Sequence, residues 1–95
     1  DDYRNWDKAK VNNFKKLAAT VEMDSGETVE YIDYRNPKDV YVKIPTVNIR
    51  LGSFNAGTFD KIHRIPSLLP QVKMLNKKVK YIDLRWDTNY IKLDE

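Results

Sequence analysis

Cysteine is absent from the 95-residue chain. That excludes disulfide frameworks and Cys-based zinc sites, without assigning a compartment. A chain of this length makes one small domain and can bury a modest core without cross-links. Histidine occurs once, at position 63. No stretch approaches the roughly 20 apolar residues of a membrane span, and no secretory leader is visible. The chain opens on Asp1-Asp2 without an initiator Met. It is therefore expected to be a piece of a longer parent, and whether that parent carries a membrane anchor stays open at this point. Glycine is scarce, at three residues. The loop at 52–57 lacks both the Gly-Lys-Ser/Thr of a phosphate loop and the G-x-G-x-x-G of a dinucleotide fold, so a plain loop is expected. Charge of one sign is also lacking: 17 Lys+Arg stand against 14 Asp+Glu, for a net +3. A nucleic-acid domain would be more lopsided, with its basic residues on one face. The densest basic group is Lys73, Lys77, Lys78 and Lys80. It reads as a solvated helix end, with attraction to anionic cell-surface material as the alternative.

What is present is periodicity. Phe14, Leu17, Ala18 and Val21 follow the i, i+3, i+4, i+7 rule, predicting a helix over 5–21. Asn5 or Asp7 could cap it, and Asp24-Ser25-Gly26 should stop it. Trp6 and Phe14 are expected in the core. Residues 28–34 (T-V-E-Y-I-D-Y) predict a strand whose two faces are both mixed, so its buried side stays open. A turn over 35–39 leads to a returning strand at 40–44. Pro45 then marks a bulge or a short connection. Residues 46–51 alternate most cleanly, with Val47, Ile49 and Leu51 on one side. That implies a sheet with one dry face and one wet face. Thr58 is a candidate N-cap, with Asp60 in the first turn. Apolar residues at 59, 62, 65, 69, 72 and 75 extend the helical pattern to 76. Pro66 and Pro70 fall inside it. A break near Ile65 is therefore expected, with Pro66 in the first turn of a second helix.

V-E-Y-I-D-Y-R at 29–35 parallels V-K-Y-I-D-L-R at 79–85. A unit of helix, strand, turn and strand is thus used twice. Two copies are too few for a solenoid but suffice for one sheet with helices on its inner face. The expected fold is α+β: two layers, mostly antiparallel sheet, with the helices packed on one face. The last stretch, 78–94, reads as two strands joined by a tight turn, or as one strand with a bulge at Asp87-Thr88-Asn89. If it ends the sheet, it offers an unpaired backbone edge to a partner.

Catalytic chemistry finds little support. His63 is expected to contact Asp60 at i−3, and no nucleophile with an orienting acid accompanies it. Carboxylate pairs such as Asp33 with Asp39 and Asp83 with Asp87 lie near strand ends, where turn formation explains them. Asp83 and Arg85 should form a surface pair worth at most about 1 kcal/mol. Neither a cofactor nor a metal is implied. Basic residues interleaved with aromatics around 80–92 could imitate a single-strand nucleic-acid platform, a reading the modest net charge disfavours. Arg85, Trp86 and Tyr90 are instead the residue types enriched at protein interfaces. Trp86 either faces a partner or plugs the end of the sheet.

The run Tyr81-Ile82-Asp83-Leu84-Arg85-Trp86 resembles the I-D-L-R-aromatic signature of the bacterial division family FtsQ/DivIB. Its order after Leu51-Gly52 and the amphipathic stretch at 58–76 strengthens the likeness, which spans about residues 17–93. The resemblance implies the second, β-rich extracellular domain of a single-pass membrane protein, with the anchor and POTRA domain outside residues 1–95. It implies no enzymatic activity and a scaffold role at the division septum. The implied partners are FtsB/DivIC and FtsL, the first adding a β-strand. Carried over by motif, the partner-binding positions are Asp83, Leu84, Arg85 and Trp86, with Tyr90, Ile91, Lys92 and Leu93 on the following strand. No nucleic-acid partner is expected. The rival function is a small basic domain that binds nucleic acid or an anionic cell-surface polymer.

Overall fold

The computed structural model describes residues 8–55, 57–75, 77–86 and 90–94. Their elements run α1 (Lys8–Ser25), β1 (Tyr31–Asp33), β2 (Val40–Lys43), β3 (Asn48–Gly52), α2 (Thr58–Ile62), α3 (Ile65–Met74), β4 (Val79–Asp83) and β5 (Tyr90–Leu93). The strands form one sheet in the order β1-β2-β3-β4-β5. Neighbours pair antiparallel except β3 and β4, which are parallel. Parallel neighbours need a crossover, and α2 and α3 supply it. All three helices pack on one face of the sheet. Leu17 and Val21 of α1, Ile62 of α2, and Ile65, Leu68, Leu69 and Val72 of α3 meet Val42, Ile44, Ile49, Leu51, Ile82 and Leu84 in a single core. The expected two-layer α+β architecture is therefore present.

Local chemistry explains most boundaries. α1 ends where Gly26 takes φ 71° and donates its N–H to the Glu22 carbonyl at 2.9 Å. Such a left-handed closing residue favours glycine. Trp6, the cap candidates Asn5 and Asp7, and the turn at 87–89 lie outside the described residues. Pro45 sits in a short connection. Ile44 and Val47 exchange backbone hydrogen bonds of 3.1 and 3.2 Å across Pro45-Thr46, so the proline occupies a corner. Glu27 braces that corner by accepting from the Thr46 N–H at 2.9 Å and from the Thr46 hydroxyl. The break between α2 and α3 falls at 63–64, and Pro66 is the second residue of α3.

Two expectations need correction here. The strand expected over 28–34 is regular only over 31–33: the Glu30 N–H still reaches the Lys43 carbonyl of β2 at 2.8 Å, but the Val29 N–H donates to the Glu22 carboxylate at 2.8 Å and is tied to α1 instead. Thr58 is not the N-cap. It is the first residue of α2, fully buried, and its hydroxyl accepts the Asn55 N–H at 3.0 Å and donates to the Ser53 carbonyl at 3.3 Å. The side chain thus holds the preceding loop rather than the helix end.

Strand alternation places the remaining side chains on the face away from the helices. Tyr31 and Asp33, Tyr41 and Lys43, Asn48 and Arg50, Tyr81 and Asp83, and Tyr90 and Lys92 share that open face by register. It is aromatic and charged, where the opposite face is aliphatic. Ile32 settles the side left open for β1: it packs against the core, opposite Val42.

Candidate functional site

β5 is the last strand of the sheet, and among the described residues only β4 pairs with it. The Asp94 N–H donates to the Lys78 carbonyl at 2.9 Å. Strand parity therefore turns Tyr90 and Lys92 toward β4 and directs the backbone groups of Ile91 and Leu93 to the open edge. Beside that edge, on the open face, lies a groove of about 540 Å³ lined by Tyr81, Asp83, Arg85, Trp86, Tyr90 and Lys92.

The structure brings together Asp83, Arg85, Trp86, Tyr90 and Lys92 from the sequence-derived set. It does not bring the other three side chains. Leu84 is fully buried in the core, and its backbone N–H donates to the Arg50 carbonyl at 2.9 Å. Ile91 stands opposite Ile82 and packs on the core, and Leu93 stands opposite Val79. The motif treated consecutive residues as one surface, whereas a pleated strand sends alternate residues to opposite faces. Leu84 is thus corrected to a core residue. Ile91 and Leu93 can serve an edge only through their backbone.

Asp83 and Arg85 are not a surface pair. Asp83 is 2 % exposed. Its Oδ1 accepts the Arg85 backbone N–H and Nε–H, each at 3.0 Å, and its Oδ2 accepts Nη2–H at 2.7 Å. Burial pushes the Asp83 carboxyl up, but the Arg85 hydrogen bonds and charge outweigh burial, and the group titrates below the ordinary aspartate value. The same clamp raises the Arg85 guanidinium, through its hydrogen bond to Asp83 first. Arg85 also lies over the Trp86 ring, 5.1 Å from its centroid. Trp86 itself is 59 % exposed and Tyr90 52 %, so Trp86 does not plug the sheet.

Two cations that sequence reasoning missed hold this corner from behind. The Arg64 guanidinium donates to the Trp86 carbonyl at 2.8 Å and to the Leu84 carbonyl at 3.1 Å. Lys61 Nζ donates to the Arg85 carbonyl at 3.3 Å. Both come from the α2 region, more than twenty residues away in sequence. Nothing in the local pattern marks them. Gly52 is the other hidden support. It has φ 74°, and a Cβ there would lie 3.0 Å from Arg85 Cγ, so the arginine stem runs directly over the backbone.

The groove's inner wall is fixed by Arg50. Its guanidinium is bidentate to Asp39 at 2.8 and 2.7 Å and donates to the Tyr81 hydroxyl at 3.1 Å. It also lies 5.4 Å from the ring centroids of both Tyr41 and Tyr81. The hydrogen bonds to Asp39 are the main cause of its raised pKa. The result is an aromatic and ionic surface ordered by its own internal contacts.

Other candidates resolve differently. His63 Nδ1 meets Asp24 Oδ2 at 2.6 Å, not Asp60, and so links the end of α1 to the turn before α3. The Ser67 hydroxyl is engaged with the Arg64 carbonyl at 2.9 Å. No group of three or more His, Cys, Asp or Glu among the described residues could hold a metal ion. No described helix is long and apolar enough to cross a membrane. In the basic cluster, Lys73 approaches Glu27 at 3.9 Å and Lys78 approaches Asp94 at 3.6 Å. No family model matches the chain, and no curated protein matches it.

Proposed function

We propose that this domain is a non-catalytic protein-binding module of the FtsQ/DivIB type, accepting a β-strand of an FtsB/DivIC-like partner at the edge of β5. An FtsL-like protein would join the same complex. The parent would be membrane-anchored, with this domain on the extracellular side at the division septum. The observation that carries the reading is the meeting of an open strand edge with exposed Trp86 and Tyr90 in one groove. Backbone pairing to Ile91 and Leu93 supplies affinity. Trp86, Tyr90 and Lys92, which forms no ion pair among the described residues, select among strands by shape and charge. The I-D-L-R-W run and its position after Leu51-Gly52 give the family part of the proposal its support.

A backbone-amide NMR titration with the extracellular portions of an FtsB/DivIC–FtsL pair tests it. Shifts and slowed exchange within 83–93 are expected. A folded domain with no change there overturns the reading. Shifts confined to 73–80 and abolished by salt would replace it with binding to an anionic polymer.

A further inference from the structure

The sheet contains the same hairpin twice, matched in register. β1 and β2 pair Tyr31 with Lys43, Ile32 with Val42, and Asp33 with Tyr41. β4 and β5 pair Tyr81 with Lys92, Ile82 with Ile91, and Asp83 with Tyr90. Each first strand is followed by an arginine that folds back on the aspartate two residues earlier. Arg35 Nη2 reaches Asp33 Oδ2 at 2.7 Å, as Arg85 Nη2 reaches Asp83 Oδ2 at 2.7 Å. The backbone N–H of each arginine also donates to its aspartate, at 3.1 Å and 3.0 Å.

The copies differ in what lies beside them. β1 runs opposite to β2, β2 opposite to β3, and β3 along β4, so β1 and β4 point the same way. Ile32 and Ile82 both face the helices. The second hairpin is therefore the first one shifted along the sheet. On the far side of β4 from β5 stands β3, with Ile49 opposite Ile82 and Arg50 opposite Asp83. On the corresponding side of β1, no strand pairs among the described residues. The exposures record the difference. The Arg85 side chain, lying over Gly52 of β3, is 29 % exposed, whereas that of Arg35 is 91 % exposed. One clamp is covered by a strand and its twin is bare.

We infer that the β1 edge is a second strand-accepting site, for an extended partner segment that runs parallel to β1 and repeats the side-chain pattern of β3. That pattern is an aliphatic residue opposite Ile32, a basic residue opposite Asp33, another aliphatic residue, and then glycine beneath Arg35. The Leu84 N–H donates to Arg50 across β3–β4, so Ile82, of the same parity, faces β3. By the shared register Ile32 directs its backbone groups to the open edge. Charge agrees with a basic occupant. Asp33 and Arg35 offset each other, and Glu30, exposed and without an ion pair among the described residues, leaves this edge net negative. The site is distinct from β5 and does not rest on the function proposed above.

A synthetic peptide copying residues 46–53, titrated into the 15N-labelled domain, tests the inference. A second peptide carries glutamate in place of the residue copied from Arg50. The first is expected to shift the amides of 30–35 and slow exchange at Ile32. The glutamate peptide should bind about tenfold more weakly or worse, because it sets like charges against each other. In the Asp33→Asn domain that preference for the basic peptide should shrink. A dispersed spectrum with no change at 30–35 overturns the inference. Shifts confined to 90–94 overturn it too, while leaving the β5 reading intact.

Discussion

Arg85 and Trp86 are chain neighbours whose removal should have opposite consequences. The Trp86 ring is exposed and its loss opens no cavity, so Trp86→Ala should weaken partner binding by more than about 1 kcal/mol while urea unfolding stays nearly unchanged. Arg85→Ala removes the guanidinium hydrogen bonds of a buried carboxylate and leaves it only the backbone N–H of residue 85, which costs about 1–3 kcal/mol of stability. The double substitution therefore cannot separate binding from folding, and the tryptophan alone can. The Asp83 clamp also carries a pH signature. A carboxyl held below its unfolded value stabilises the fold above about pH 4, and that stability is lost as pH falls through the folded value. Thermal melts of the parent domain should accordingly decline more steeply below about pH 4 than those of Asp83→Asn. Among these residues the motif singled out Asp83, Arg85 and Trp86. It could not tell that Asp83 is buried, because burial comes from β3 and β5 on either side.

At the scale of elements, α3 carries a visible flaw. Pro70 is the sixth residue of the helix, beyond the first turn where the absent N–H would go unused, so the Pro66 carbonyl lacks its usual helical donor. Pro70 is exposed, and no packing demands it. Pro70→Ala should raise the urea midpoint, with a gain of about 1 kcal/mol after the greater freedom of the unfolded chain is offset. The elements themselves were largely legible. The helical steps of α1 and the break before Pro66 followed from apolar spacing and proline chemistry. The alternation of 46–51 marked β3, with Val47, Ile49 and Leu51 all buried. Less legible were ends set by side chains from elsewhere. Glu22 captures the Val29 N–H and shortens β1, and Thr58 turns its hydroxyl inward to the loop at 53–55. These bonds depend on where a helix face meets a loop, which no local pattern encodes.

On the scale of the whole molecule, the domain divides its chemistry between two faces of one sheet. The helix-covered face is aliphatic, and the open face combines tyrosines with clamped ion pairs around Arg50. With most of the open-face charges already paired, long-range attraction contributes little to partner capture. Calorimetry of the partner complex should therefore show less than about a tenfold affinity loss between 50 and 200 mM salt, where a polyanion complex would lose far more. The sequence by itself determined the α+β class, the order of elements, the duplicated Y-I-D-x-R segment and the aromatic-basic character of the C-terminal strands. Those properties live in local periodicity and composition. Only the tertiary structure decided that β5 ends the sheet, that β3 separates the two hairpins, and that Arg64, Lys61 and Gly52 support the groove. Strand order and such contacts join residues distant along the chain, and they are set by how the whole core packs.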